Sequence, residues 1–99
     1  MRYRDRTEIV RQILIVSNGY IDITKTKLMY KAYLGSSQLN EYVRMLPENE
    51  LLRYDFVTRT FKTTQKGLQF LNLCTEIDEL LMEEEEEQDE AQIWVQNER

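Results

Sequence analysis

The sequence predicts a mainly α-helical protein with one small β-hairpin, an α+β chain around a single core. Apolar residues recur at helical spacing in three short segments before Pro47. Two short alternating segments follow, and after Thr64 a longer segment repeats apolar residues every three or four positions. A chain of 99 residues supplies one core and leaves too little for a second.

The first helix is expected over residues 7–17, where Ile9, Ile13 and Val16 form a stripe that Val10 and Leu14 widen, and Asn18-Gly19 ends it. Ile21 and Ile23 alternate with Asp22 and suffice for a stub of strand. Thr24 then caps a short second helix that turns Leu28, Met29 and Ala32 inward and Lys25, Lys27 and Lys31 outward, and Gly35 breaks it. Ser36 or Ser37 is expected to cap a third helix carrying Leu39, Val43 and Leu46, with Tyr42 alongside and Pro47 and Asn49 at its end. Residues 51–55 and 60–63 read as an antiparallel hairpin with Leu52, Tyr54 and Phe61 inward. Thr64 caps the last helix, and Gly67 lets that helix approach the hairpin closely.

Two helices joined by a turn of a few residues, the second with a polar free face, are the layout of a helix-turn-helix, and the hairpin that follows is its wing. The expected architecture is therefore a winged helix-turn-helix with a long C-terminal helix. Residues 1–69 form the DNA-binding domain, 70–82 a dimerisation helix, and 83–99 an acidic tail that is a frayed helix or disordered. In the last helix Phe70, Leu73, Ile77 and Leu80 are spaced by three, four and three residues, with Leu71, Cys74 and Leu81 beside them. These residues serve the core, a seam between two copies, or both in turn. A helix of about 18 residues is about 27 Å long, so its second half outruns so small a domain and favours a homodimer.

The formal net charge of −5 argues against a nucleic-acid ligand only if it is evenly spread, and it is not. Before residue 70, twelve Lys and Arg face seven Asp and Glu; from there on, Arg99 alone faces eleven acids. A basic body thus carries an acidic tail, Glu83 to Glu87 at its centre. That tail is a solvated segment, a competitor for the basic face, or a docking site for a basic partner.

Several stretches resemble small archaeal winged-helix DNA-binding proteins, some of them chromatin-associated. They are Arg6-Thr7-Glu8-Ile9, the block Thr26-Lys27-Leu28-Met29-Tyr30-Lys31-Ala32, Gln38-Leu39 with Tyr42-Val43, Leu51-Leu52, and Thr64 to Leu71. The resemblance covers residues 6–81 and implies a winged helix, DNA binding and a dimer through an antiparallel coiled coil. The chain departs from that pattern at Pro47-Glu48-Asn49-Glu50, where such sequences tend to have a small residue or Asn-Gly, and in the acidic run after residue 82.

On the helix-turn-helix reading, Ser37, Gln38, Asn40, Glu41 and Arg44 of the third helix meet base edges in a major groove. Gln38 and Asn40 suit adenine, Arg44 suits guanine or a phosphate, and Glu41 suits cytosine or an ion pair with Arg44. Lys25, Thr26, Lys27 and Lys31 lie where the second helix crosses the backbone, and Arg53, Arg59 and Lys62 bring the wing to phosphate or a minor groove. Arg2, Arg4 and Arg6 form a short basic arm. The competing reading is a winged helix that binds protein without DNA, in which case the third helix and wing expose an apolar patch; Phe56, Val57 and Tyr33 are its candidates.

Catalysis finds little footing, with no histidine, no glycine-rich phosphate loop and no metal-ligand spacing, so the expectation is a non-enzyme without cofactor, metal or evident small-molecule ligand. Cys74 falls in the apolar pattern of the last helix and reads as an inert core thiol. With neither a membrane-length apolar run nor a secretory leader, the expected location is cytoplasmic, on the nucleoid.

Overall fold

In a computed structural model, residues 4–97 are described, with side chains through Met82. The elements run α1 (Arg6–Gly19), β1 (Ile23–Thr24), α2 (Lys25–Lys31), α3 (Ser36–Glu48), β2 (Leu52–Asp55), β3 (Thr60–Thr63) and α4 (Gln65–Asn97). The α+β architecture expected from the sequence is the one observed. Arg2 of the basic arm and the side chains of the acidic tail lie outside the described residues.

Helix α1 starts at Asp5, whose carboxylate accepts from the Glu8 amide at 2.8 Å. It buries Ile9, Val10, Ile13, Leu14 and Val16, and the sheet, α2 and α4 all pack against it. The strand stub is more than a connector: β1 pairs antiparallel with β3, Ile23 opposite Phe61, giving a sheet ordered β1-β3-β2. Of the two isoleucines expected there only Ile23 lies in the strand and is inward; Ile21 lies in the bend before it, where the strand's alternation does not reach, and is left in solvent. Thr24 caps α2 as expected, its hydroxyl accepting from the Lys27 amide at 3.3 Å.

Helix α3 corrects one expectation. Neither serine caps it; Gly35 does, in extended conformation and without a side-chain bond, and Ser36 is already helical. Glycine serves there almost as well as serine, since only the carbonyl is needed to start the ladder, and the Leu39 amide donates to it at 2.9 Å. Leu39, Tyr42 and Leu46 are buried while Val43 is half-buried, so Tyr42 takes the deeper position.

The Pro47 to Glu50 junction closes α3 by a Schellman arrangement. The Leu51 amide reaches back to the Leu46 carbonyl and the Glu50 amide to Pro47, both at 3.0 Å, with Glu50 left-handed at φ 62°. Helix α2 ends likewise: the Leu34 amide bonds Met29 at 3.1 Å, and Tyr33 stands at φ 56° where glycine is the usual occupant. Arg4 secures this turn by donating to the Ala32 and Tyr33 carbonyls at 2.9 and 2.5 Å. That removes Arg4 from any free basic arm, and Arg6 is the first residue of α1.

At the start of α4 the Thr64 hydroxyl accepts from the Gly67 amide at 3.0 Å. Gly67 faces the hairpin so closely that a Cβ there would overlap the Leu51 carbonyl oxygen and stand 2.6 Å from Thr63 Cγ2. Thr63 in turn donates to the Leu14 carbonyl at 2.7 Å, a buried bond joining the wing to α1.

Candidate nucleic-acid interface

The candidate interface draws on α2, α3 and the wing. Burial of Leu39, Tyr42 and Leu46 turns the opposite side of α3 outward, and Ser37, Gln38, Asn40, Glu41 and Arg44 are all exposed. Because Gly35 offers no side-chain cap, the first amides of α3 have no side-chain acceptor, which suits an incoming phosphate. The Ser36 and Ser37 hydroxyls are likewise exposed at that end.

On α2, Lys25, Thr26, Lys27 and Lys31 are exposed. The sequence reading missed what organises two of them: Tyr20, just beyond α1, receives the Lys27 ammonium 4.8 Å and the Lys31 ammonium 5.7 Å from its ring centre. A lone aromatic after a helix end carries no signal of which cations will fold over it.

In the wing, Arg53 and Lys62 are direct cross-strand partners in the β2–β3 register, Arg53 exposed and Lys62 half-buried. Like charges placed opposite each other across two strands cost stability. The ion pairs found among the described residues are Arg11 with Glu8 and with Asp78, so neither wing cation is neutralised in that way. Arg59 closes the hairpin turn at φ 58°, left-handed, and its side chain is exposed. Every cation expected at the interface is therefore at least partly accessible. They do not all share one surface motif, since Lys27 and Lys31 fold over Tyr20 while Lys25 lines the cleft beside the wing.

Between α3 and the wing lies a cleft of about 340 Å³ lined by Val43, Pro47, Tyr54, Phe56 and Phe61, with Lys25 at its side. Phe56 and Val57 at the wing tip and Tyr33 at the α2–α3 turn are exposed, so the apolar candidates of the competing reading are on the surface too.

Beyond the interface, α4 divides its apolar residues. Phe70 and Leu71 pack partly buried on the core and Cys74 is buried. Leu73, Ile77, Leu80 and Leu81 are each more than half exposed. Arg11 bonds Asp78 and so pins α4 to α1 one turn past Cys74; that hydrogen bond raises the Arg11 guanidinium above its ordinary range. Burial pushes the Cys74 thiol up, which keeps it protonated and unreactive.

A turn that hands one polar helix to another, followed by a cationic two-stranded wing, defines a class of DNA-binding architecture. A family model described as winged helix-turn-helix matches residues 3–82, and the chain belongs to that family. Such domains are typically non-enzymatic, and the membership points to DNA binding in general. No curated protein matches the chain. Among the described residues no helix is long and apolar enough to cross a membrane.

The strained turn separates a structural role for Arg59 from a functional one. Arg59→Gly should leave thermal stability unchanged or raise it by up to about 1 kcal/mol, because glycine adopts φ 58° freely. The same change should weaken duplex binding severalfold in a gel-shift titration. Lower stability with unaltered binding would assign the side chain to the fold instead.

Proposed function

We propose that this protein binds double-stranded DNA as a homodimer and serves as a transcriptional regulator, with chromatin association as the related alternative role. The observation that carries the reading is the wing: Arg53 and Lys62 face each other without an ion-pair partner among the described residues. Two like charges set opposite each other cost the fold, and although Asp22 and Asp55 line the same groove, an anionic backbone alongside the wing would offset that cost. Helix α3 would lie in a major groove with Gln38, Asn40 and Arg44 toward base edges and Ser37 toward the backbone. Glu41 would accept from a cytosine amino group, and its charge would disfavour loose phosphate tracking. The cations of α2 and the wing would hold flanking phosphates.

The overall acidity favours a regulator over a packaging protein, because binding without sequence preference relies on an excess of positive charge. The second copy would pack on the side of α4 that carries Leu73, Ile77, Leu80 and Leu81, placing two recognition helices on one target. Phe70 would contribute only where the seam meets the core.

The apolar cleft and the exposed wing tip favour a second reading, a module that docks a protein segment against α3 and the wing. The two readings part in their salt dependence. In a fluorescence-anisotropy titration against a mixed-sequence duplex, log affinity should fall by about 0.9 per phosphate neutralised for each decade of salt. Lys27→Glu combined with Arg59→Glu should abolish binding at moderate salt. Failure of the full chain to bind at low salt would put the protein-docking reading first.

Oligomeric state is tested separately. Sedimentation equilibrium should return a dimer for the wild type and a folded monomer for Ile77→Glu, since the new charge would be buried at the seam without a partner. A monomeric wild type would remove the seam.

A further inference from the structure

The wing tip combines features that a phosphate-gripping loop does not need. The turn Phe56–Arg59 connects Asp55 and Thr60, which pair across the hairpin. At its apex Val57 is 92% exposed and Phe56 84%. A flexible loop would fold such atoms back, and this one is held in shape. One Asp55 carboxylate oxygen accepts from the Val57 and Thr58 amides at 2.8 and 3.3 Å, and the Arg59 amide donates to the Asp55 carbonyl at 2.7 Å. The Thr58 and Thr60 hydroxyls are 2.6 Å apart. Phe56 stands edge-on to Tyr54, ring centres 5.1 Å apart at 85°, which fixes the ring behind the apex. Arg53, Arg59 and Lys62 stand on the same hairpin.

A stiff apolar point flanked by cations suits a ligand whose charge lies outside and whose apolar surface lies within, and stacked bases between two phosphate strands have that arrangement. We propose that the wing tip is a minor-groove wedge, with Val57 pressed between adjacent base pairs and Phe56 supporting it, so that the protein kinks its DNA. The proposal rests on the DNA-binding reading above. Dimensions restrict what enters: the minor groove is about 6 Å wide and two paired strands already stand about 4.8 Å apart before side chains are added. Only the apex side chain fits, while the arginines stay at the phosphate rims. Apolar wedges of this kind unstack a step and bend the duplex toward the major groove, the side on which α3 would lie. An anionic membrane would also receive an apolar tip with a cationic rim, but it would leave Gln38 and Asn40 of α3 without partners.

The test is end-to-end energy transfer across a doubly labelled duplex of about 25 base pairs, read beside anisotropy in the same titration. The wild type should bend the duplex by about 20–90°. Val57→Ser, and Val57→Ser combined with Phe56→Ser, should keep the salt slope, lose the bend and bind about tenfold more weakly. Val57 is almost wholly in solvent, so the single variant tests the wedge without disturbing the fold. Binding by the wild type without bending, or equal bending by the variants, would overturn the wedge and leave DNA binding standing. No binding by the wild type at low salt would overturn both. Binding to phosphatidylglycerol vesicles that Val57→Ser abolishes, with DNA bending unaltered, would reassign the tip to a lipid surface.

Discussion

The burial of one face of α1 is the constraint on which the other elements depend. Ile13 and Leu14 are fully buried, and α2, β3 and α4 each pack against this helix. Two directed bonds then fix orientation where apolar contact alone would allow sliding. Thr63 donates to the Leu14 carbonyl and sets the wing, and Arg11 pairs with Asp78 and sets the angle at which α4 leaves the body. Gly67 completes the join by letting α4 begin directly against the Leu51 carbonyl. With the sheet and α4 anchored to one helix, α3 packs on β2 with its polar side outward.

The turns around the interface carry conformational cost at residues where glycine would be cheaper. Tyr33, Glu50 and Arg59 all adopt left-handed backbone, one after α2, one after α3 and one in the hairpin. Each is backed by hydrogen bonds that fix it: Arg4 on the carbonyl of Tyr33, the Schellman bonds at Glu50, and the Asp55 carbonyl at Arg59. Rigid turns give α3 and the wing a fixed relation, which reduces the ordering cost of binding a rigid duplex.

Much of this was legible in the sequence because it depends on local period and local caps. The stripe from Ile9 to Val16, the Thr24 and Thr64 caps and the hairpin strands each follow from residues a few positions apart. What escaped was set by contacts between distant segments. The pairing of β1 with β3 needs Phe61 opposite Ile23, and the Arg4 bonds reach from just before α1 to the end of α2. Capping by Gly35 defeated a sound preference for serine, because glycine's permissive backbone competes almost equally at that position. The residues expected at the interface are at least partly exposed, yet exposure does not say which of them Tyr20 or the wing will organise. The heptad in α4 was visible, while its division between core and solvent depended on where α1 ends against it.

The central claim is that α2, α3 and the wing form one DNA-binding face, while the outer side of α4 belongs to another copy of the chain. Amide chemical-shift mapping during titration with a mixed-sequence duplex tests it most directly, since every element reports at once. The account predicts shifts concentrated in residues 25–31, 36–44 and 53–62, with residues 73–81 unmoved. Shifts confined to residues 73–81, or none anywhere at low salt, would contradict it.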